Sequence, residues 1–296
     1  MKILLTGANG QVGFECQCSL ALIGEVIALD RQGLDLTDQT EIERVIQQHK
    51  PDIIVNAAAY TAVDKAEQQT ELAYSINATA PQIMAEQAKL LNIPLIHYST
   101  DYVFNGQGQK PWSEQDPTNP INVYGQTKLA GEQAIQASGC NYVILRTSWV
   151  YGARGQNFLN TMQRLATTLE QLSVVDDQIG TPTWSRHIAD ATAQIIGQAK
   201  SSQNPHQFWR QNSGVYHLTA SGKTSWHGFT RAIFDNMEQQ GTTTAMLKAI
   251  PTSEYPTPAK RPLYSCMNNQ KLADTFGIRL LDWQASLALV LFSINK

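Results

Sequence analysis

Cysteine is scarce and basic charge is not in excess: 296 residues hold four Cys, and 22 Lys plus Arg stand against 25 Asp plus Glu. So few cysteines in so long a chain do not make a disulfide scaffold and fit a reducing compartment, the cytoplasm. Cys16 and Cys18 form a lone Cys-x-Cys without a second pair at zinc-ligand spacing, and the six histidines are scattered, so none of them points to a metal. A net charge of -3 with no Lys/Arg run argues against nucleic acid or another polyanion as partner. Long apolar runs are missing too. The opening stretch 1–6 is interrupted by Gly7 and is too brief for a signal h-region of roughly 7 to 15 residues. The most apolar late stretch, 287–292, falls far short of the roughly 20 residues that span a bilayer. A soluble protein without a membrane partner is expected. With 42% hydrophobic and only 16% charged residues the chain can bury a core, which excludes intrinsic disorder.

Short β-branched or apolar runs alternate with helical patterns, the order of a parallel sheet wrapped by helices. Strands are predicted at 2–6, 25–30, 52–56, 95–99 and 142–146. One helix should begin near Asp38, with Thr40 and Glu43 in capping-box spacing, and stop before Pro51. Others should cover 80–91, with Pro81 in the first turn, and about 123–137, ending near Gly139. After Trp149 the alternation weakens, and 201–205 and 251–262 read as surface loops. The expected organisation is a dinucleotide-type unit over 1–148, to which elements around 186–220 return, with 149–185 and 221–296 forming a smaller substrate side.

Leu4-Leu5-Thr6-Gly7-Ala8-Asn9-Gly10-Gln11-Val12-Gly13 spaces glycines by three directly after a strand and before a helix. Glycine allows the tight turn and close backbone approach that lets helix N-terminal amides point at a pyrophosphate. The spacing is not Gly-x-Gly-x-x-Gly, so a plain strand-to-helix turn remains open. Asp30 closes the second strand where an acid accepts from an adenosine ribose, while Arg31 beside it suits a 2′-phosphate, so NADH and NADPH both stay open. Asn56-Ala57-Ala58-Ala59 puts small side chains where a dinucleotide would cross the sheet.

Tyr124-Gly125-Gln126-Thr127-Lys128 places a phenol and an ammonium on one helical face. The pairing alone is common. After a strand ending Ser99-Thr100-Asp101, in a chain with a dinucleotide loop, it gains chemical meaning. An ammonium nearby would lower a phenol's pKa toward the working range, and a Ser99 or Thr100 hydroxyl would hold a substrate oxygen against it.

With Leu5-Thr6-Gly7-x-x-Gly10-x-x-Gly13, Asn56-Ala57-Ala58, Ser99-Thr100-Asp101-Tyr102-Val103-Phe104 and Tyr124-Gly125-x-Thr127-Lys128, the chain resembles the extended short-chain dehydrogenase/reductase family. More specific strings extend the likeness nearly end to end, among them 56–67, Arg146-Thr147-Ser148-Trp149-Val150-Tyr151 and 251–262. The resemblance implies a Rossmann-type, doubly wound α/β sheet with a smaller C-terminal substrate-binding region. It also implies NAD(P)H-dependent reduction of the 4-keto group of dTDP-4-dehydro-L-rhamnose to dTDP-L-rhamnose. Residue by residue, it implies Tyr124 as general acid, Lys128 as its electrostatic partner and cofactor ligand, and Thr100 as the hydroxyl orienting the keto oxygen. Gly7, Gly10, Gln11, Val12 and Gly13 would serve the pyrophosphate. Asp30 and Arg31 would serve the ribose, Asp35 and Leu36 the adenine side, and Ala59, Tyr60 and Thr61 the nicotinamide half. Asp101, Tyr102 and Trp149 would contact the deoxysugar nucleotide and Arg261 its diphosphate.

Some family members hold Mg²⁺ through glutamates at a dimer interface. Glu15 matches one such position, but Ser185-Arg186-His187 and 289–292 supply no further carboxylate, so a monomer or weak homodimer is expected rather than a metal-bridged one. Glu15 would then be a first-turn acid favoured by the helix dipole. Tyr102 stands where a dehydratase of the family would carry Glu. An epimerase shares the loop and the Tyr/Lys pair and differs in consuming no net cofactor. A non-catalytic regulatory subunit would keep the fold without the chemistry.

Overall fold

The computed structural model describes residues 1–294, so the last two positions of the expected 221–296 stretch lie outside the described residues. Six strands form one sheet: β1 (Lys2–Thr6), β2 (Glu25–Leu29), β3 (Ile53–Asn56), β4 (Pro94–Thr100), β5 (Asn141–Thr147) and β6 (Gly214–His217). Their spatial order is β2-β1-β3-β4-β5-β6, and every pairing is parallel. A parallel sheet covered on both faces needs apolar residues at consecutive positions, which is why these strands read as runs. Ile3, Leu5, Ile53, Val55, Ile96 and Leu145 face one core. Leu4, Ile54, Leu95 and Ile144, one register step away, face the other.

The first core is closed by α1 (Gln11–Leu20) and α5 (Ser185–Ser201), which contribute Cys16, Leu20, Ile188 and Ile195. The second is closed by α2 (Gln39–His49), α3 (Ala80–Leu91) and α4 (Val123–Ser138), with Ile42, Val45, Met84 and Ile135. Burying each such side chain contributes about 1.5–3 kcal/mol. A third core, around Tyr151, Phe229, Phe234, Trp283 and Leu287, gathers the later helices.

Three local expectations are corrected. Helix α2 is capped by Asp38, whose carboxylate accepts from Glu41 N at 3.0 Å, rather than by a Thr40 capping box; the Asp already fills that position. The chain ahead of α3 is helical from Thr70, passing through a π turn at Ser75–Thr79, so Pro81 sits inside a longer helical run. Such a turn absorbs the missing proline donor. The loop at 201–205 shrinks to 202–204, because Asn204 accepts from Gln207 N at 3.0 Å and Pro205 opens a helix over Pro205–Asn212. Asparagine and proline are helix-start signals as well as loop signals.

Candidate active site

In an open parallel sheet a ligand crevice forms at the carboxyl ends of the strands where chain order reverses. That reversal falls between β1 and β3. A cleft of about 970 Å³ opens there, lined by Gly7, Gly10, Gln11 and Val12 at one side and by Ala59, Tyr60, Thr61, Tyr124 and Lys128 at the other. Gly7 has φ +73°, and a Cβ on it would come within 2.7 Å of Ala58 N. Gly10 caps α1 without a side chain, and no acid occupies the first turn, so the helix presents bare amides to the cleft. Gly13 does not line the cleft. It sits within α1, where a Cβ would collide with the Gly7 carbonyl oxygen, so its part is to let the helix approach the loop.

At the end beside β2, where the sequence predicts the adenine side, Asp30, Arg31, Asp35 and Leu36 all line the cleft. Asp30 Oδ1 accepts from Gly33 N at 3.0 Å and Gln32 N at 2.9 Å, and Oδ2 accepts from Asn9 Nδ2 at 2.8 Å. Those backbone donors, Gly33's first, hold its carboxyl below the usual range. Asp35 is held low likewise by the Thr37 backbone amide.

At the other end Thr100 closes β4. Its hydroxyl accepts from Tyr102 N at 3.1 Å and donates to Asp101 Oδ1 at 2.9 Å. Asp101 is buried and also accepts from Ser148 Oγ at 2.8 Å; burial pushes its carboxyl up to about 6. Tyr124 stands in the first turn of α4, which Asn122 caps by accepting from Gly125 N at 2.8 Å. Gly125 lets that turn close on the carbonyl of Tyr102.

Lys128 corrects the expected pairing. It is one turn from Tyr124, but its Nζ is 2.6 Å from the Tyr98 carbonyl oxygen and 3.1 Å from His97 Nε2, both on β4. Burial pushes the ammonium down to about 8 and pushes the Tyr124 phenol upward, with the Asp101 charge adding to the latter. The two groups are not coupled as a spacing argument suggests, because the buried amine turns to the Tyr98 carbonyl instead.

Arg261 is already engaged: Nη2 meets Asp64 Oδ2 at 2.8 Å and Nη1 donates to the Tyr102 hydroxyl at 3.3 Å. Trp149 has φ +46°, which a bulky residue rarely adopts, and its indole lies flat on Trp226 with ring centroids 3.5 Å apart. Thr100, Asp101, Tyr102 and Tyr124 thus form one contiguous group that Arg261 joins, and Trp149 follows Asp101's partner Ser148. None of Thr100, Asp101, Tyr102, Trp149 and Arg261 lines the large cleft itself.

Asn77 and His97 escaped the sequence reading. Asn77, in the π turn, accepts from Tyr60 N at 2.8 Å, and its amide donates to Tyr60 O and Thr127 Oγ1, both at 3.1 Å, tying the cleft wall to α4.

A family model described as the RmlD substrate binding domain matches residues 1–295. The chain belongs to the RmlD family. It is 45% identical to dTDP-4-dehydrorhamnose reductase of Burkholderia thailandensis over 293 residues, which cover 98% of this chain and 97% of that one. A solved dTDP-4-dehydrorhamnose reductase from Clostridium acetobutylicum matches with a TM-score of 0.91 at 39% identity, covering 100% of both chains. Another, from Bacillus anthracis in complex with NADP, matches with a TM-score of 0.89 at 34% identity over 99% of each.

In this RmlD chain Glu15 is not in the first turn; α1 begins at Gln11, and the carboxylate pairs with Arg186 Nη1 at 2.7 Å. Among the described residues no three His, Cys, Asp or Glu side chains gather as a metal cage. Nor is any helix among them long and apolar enough to cross a membrane.

Proposed function

We propose that this chain is an NAD(P)H-dependent oxidoreductase that reduces the 4-keto group of dTDP-4-dehydro-L-rhamnose, giving dTDP-L-rhamnose. Membership of the RmlD family supports the reaction, and the lining of one cleft by Tyr124, Lys128 and the glycine loop is the single observation that carries it. Gly7, which leaves no room for a Cβ, and the bare amides of α1 fit a pyrophosphate. Asp30 and Arg31 would share the ribose end, Asp30 taking hydroxyls and Arg31 a 2′-phosphate, so the choice between NADH and NADPH turns on these two neighbours. When bound, the reduced nicotinamide supplies the hydride.

The protein then supplies the proton. Thr100, its hydroxyl proton turned from Asp101 to the keto oxygen, would orient that oxygen toward Tyr124, whose phenol is protonated at neutral pH like any phenol, the more firmly for its burial, and donates as the alkoxide forms. An alkoxide is a stronger base than a phenolate, so the transfer runs downhill even from a weakened acid. Lys128 holds the ribose hydroxyls. Asp101, Tyr102 and Trp149 would contact the sugar nucleotide, with Arg261 fixed by Asp64 facing its diphosphate, and 149–185 with 221–296 would form that side. The chain would act in the cytoplasm, its cysteines free, as a monomer or weak dimer.

A coupled assay tests this reading: a dTDP-glucose dehydratase and the 3,5-epimerase supply the ketosugar while nicotinamide absorbance is followed. One NAD(P)H should be consumed per ketosugar. Conversion without cofactor consumption would point to an epimerase, and cofactor binding without turnover to a regulatory subunit.

A further inference from the structure

His97 is fully buried at the middle of a polar chain that begins at Lys128 and ends on β1. Its Nδ1 is 3.0 Å from Asn56 Nδ2, and its Nε2 is 3.1 Å from Lys128 Nζ. The orientation of the Asn56 amide decides which ring nitrogen carries the proton. Ala58 N donates to Asn56 Oδ1 at 3.2 Å, and a backbone N–H can only donate, so Oδ1 points there and to Thr6 Oγ1 at 2.7 Å. The Asn56 NH₂ is left facing His97, making Nδ1 an acceptor and leaving the proton on Nε2. Lys128, which donates to the Tyr98 carbonyl, therefore meets an N–H rather than a lone pair.

We propose that His97 is a positioning residue for the reduction: locked by Asn56 as the Nε2–H tautomer, it can donate only to the neutral amine of Lys128, so it favours that form and loosens the ammonium's hold on its proton. Donation to the neutral form of a base lowers its pKa. The other groups around Lys128 pull differently. Tyr124 and Glu132 stand one turn before and after it on α4, and Glu132 is occupied by Arg146 of β5 through bonds of 2.9 and 2.7 Å. Glu132 raises Lys128, and burial lowers it. His97 is itself held neutral by burial and by Lys128. The consequence is an active-site amine whose proton is held less firmly than burial alone would leave it. The bearing on turnover rests on the reductase reading; the tautomer does not.

Two measurements decide it. In the wild-type protein labelled with ¹⁵N-histidine, NMR at pH 9 should show His97 with a protonated Nε2 and a bare Nδ1; a proton on Nδ1 would overturn the proposal. In His97→Asn, which can still meet Asn56 but cannot reach Lys128, the Lys128 titration followed by its ¹³Cε shift should move upward by about one pH unit, the worth of one hydrogen bond. The basic limb of the kcat profile for ketosugar reduction should move with it. An unchanged Lys128 titration in the folded variant would overturn the role. Should His97→Asn not fold, the wild-type tautomer decides alone. A wild-type protein with the expected tautomer but without reduction would sink the reductase reading and leave the tautomer standing.

Discussion

The rings of Tyr102 and Tyr124 meet edge to face, with centroids 5.6 Å apart and planes at 77°. Packing of this kind fixes the Tyr124 ring independently of its hydroxyl. Tyr124→Phe therefore removes the proton donor and leaves its place filled. Turnover should fall at least about 100-fold, the low end of general acid catalysis, while NADPH affinity measured by fluorescence titration stays unchanged. A near-normal kcat would take Tyr124 out of the donor role.

Gly13 and Gly7 approach so closely that no side chain fits between α1 and the loop. In Gly13→Ala the helix must back away, at about 1–3 kcal/mol of stability, the range for overpacked sites. NADPH affinity should drop by about tenfold or more as the amides shift off the pyrophosphate. Denaturant unfolding and calorimetric titration check both; unaltered affinity would mean that helix approach does not shape the loop.

Asp101 gives a pH signature. Its carboxyl lies near 6 in the folded protein against an ordinary 3.8, so the protonated form is the one that folding favours. Its stabilising contribution is present below 3.8 and is lost as pH rises through about 6. The difference between 3.8 and about 6 corresponds to about 3 kcal/mol. Asp101→Asn has no proton to lose. The stability of wild type relative to this variant, from urea unfolding, should therefore decline between pH 4 and pH 7; a constant difference would place the Asp101 titration elsewhere.

Arg31 lines the cleft beside Asp30. Removing its guanidinium in Arg31→Ala should raise the KM for NADPH by about tenfold and leave that for NADH within about twofold, since only the former carries the phosphate. Equal effects on both cofactors would assign Arg31 to the loop rather than to the 2′-phosphate.

The sheet was legible because its signals are local. Consecutive apolar residues announce a strand covered on both faces, and Gly7, Pro51 and Gly139 punctuate it within a few positions of where the chain turns. Family strings carried the choice of site residues, and most of those expected at the cofactor line one cleft. What stayed hidden depends on tertiary partners. The spacing of Tyr124 and Lys128 states that they share a helical face; it does not say that the ammonium will turn to Tyr98 and His97 across the sheet. Arg261 is met by Asp64, 197 positions away, and Glu15 by Arg186, 171 positions away. No local pattern reports a pairing at that distance. Asn77 was invisible for another reason: a π turn shifts side chains off the face that a 3.6-residue period assigns them.

The central claim is hydride delivery to the sugar's C4 with Tyr124 as proton donor, and isotope transfer tests it most directly. With NADPH deuterated at the transferring position and the ketosugar generated in place, mass spectrometry and NMR of the product should find one deuterium, at C4 of the deoxysugar, for each NADPH oxidised. Deuterium at any other carbon, or a processed sugar with the label still on the cofactor, would contradict the account.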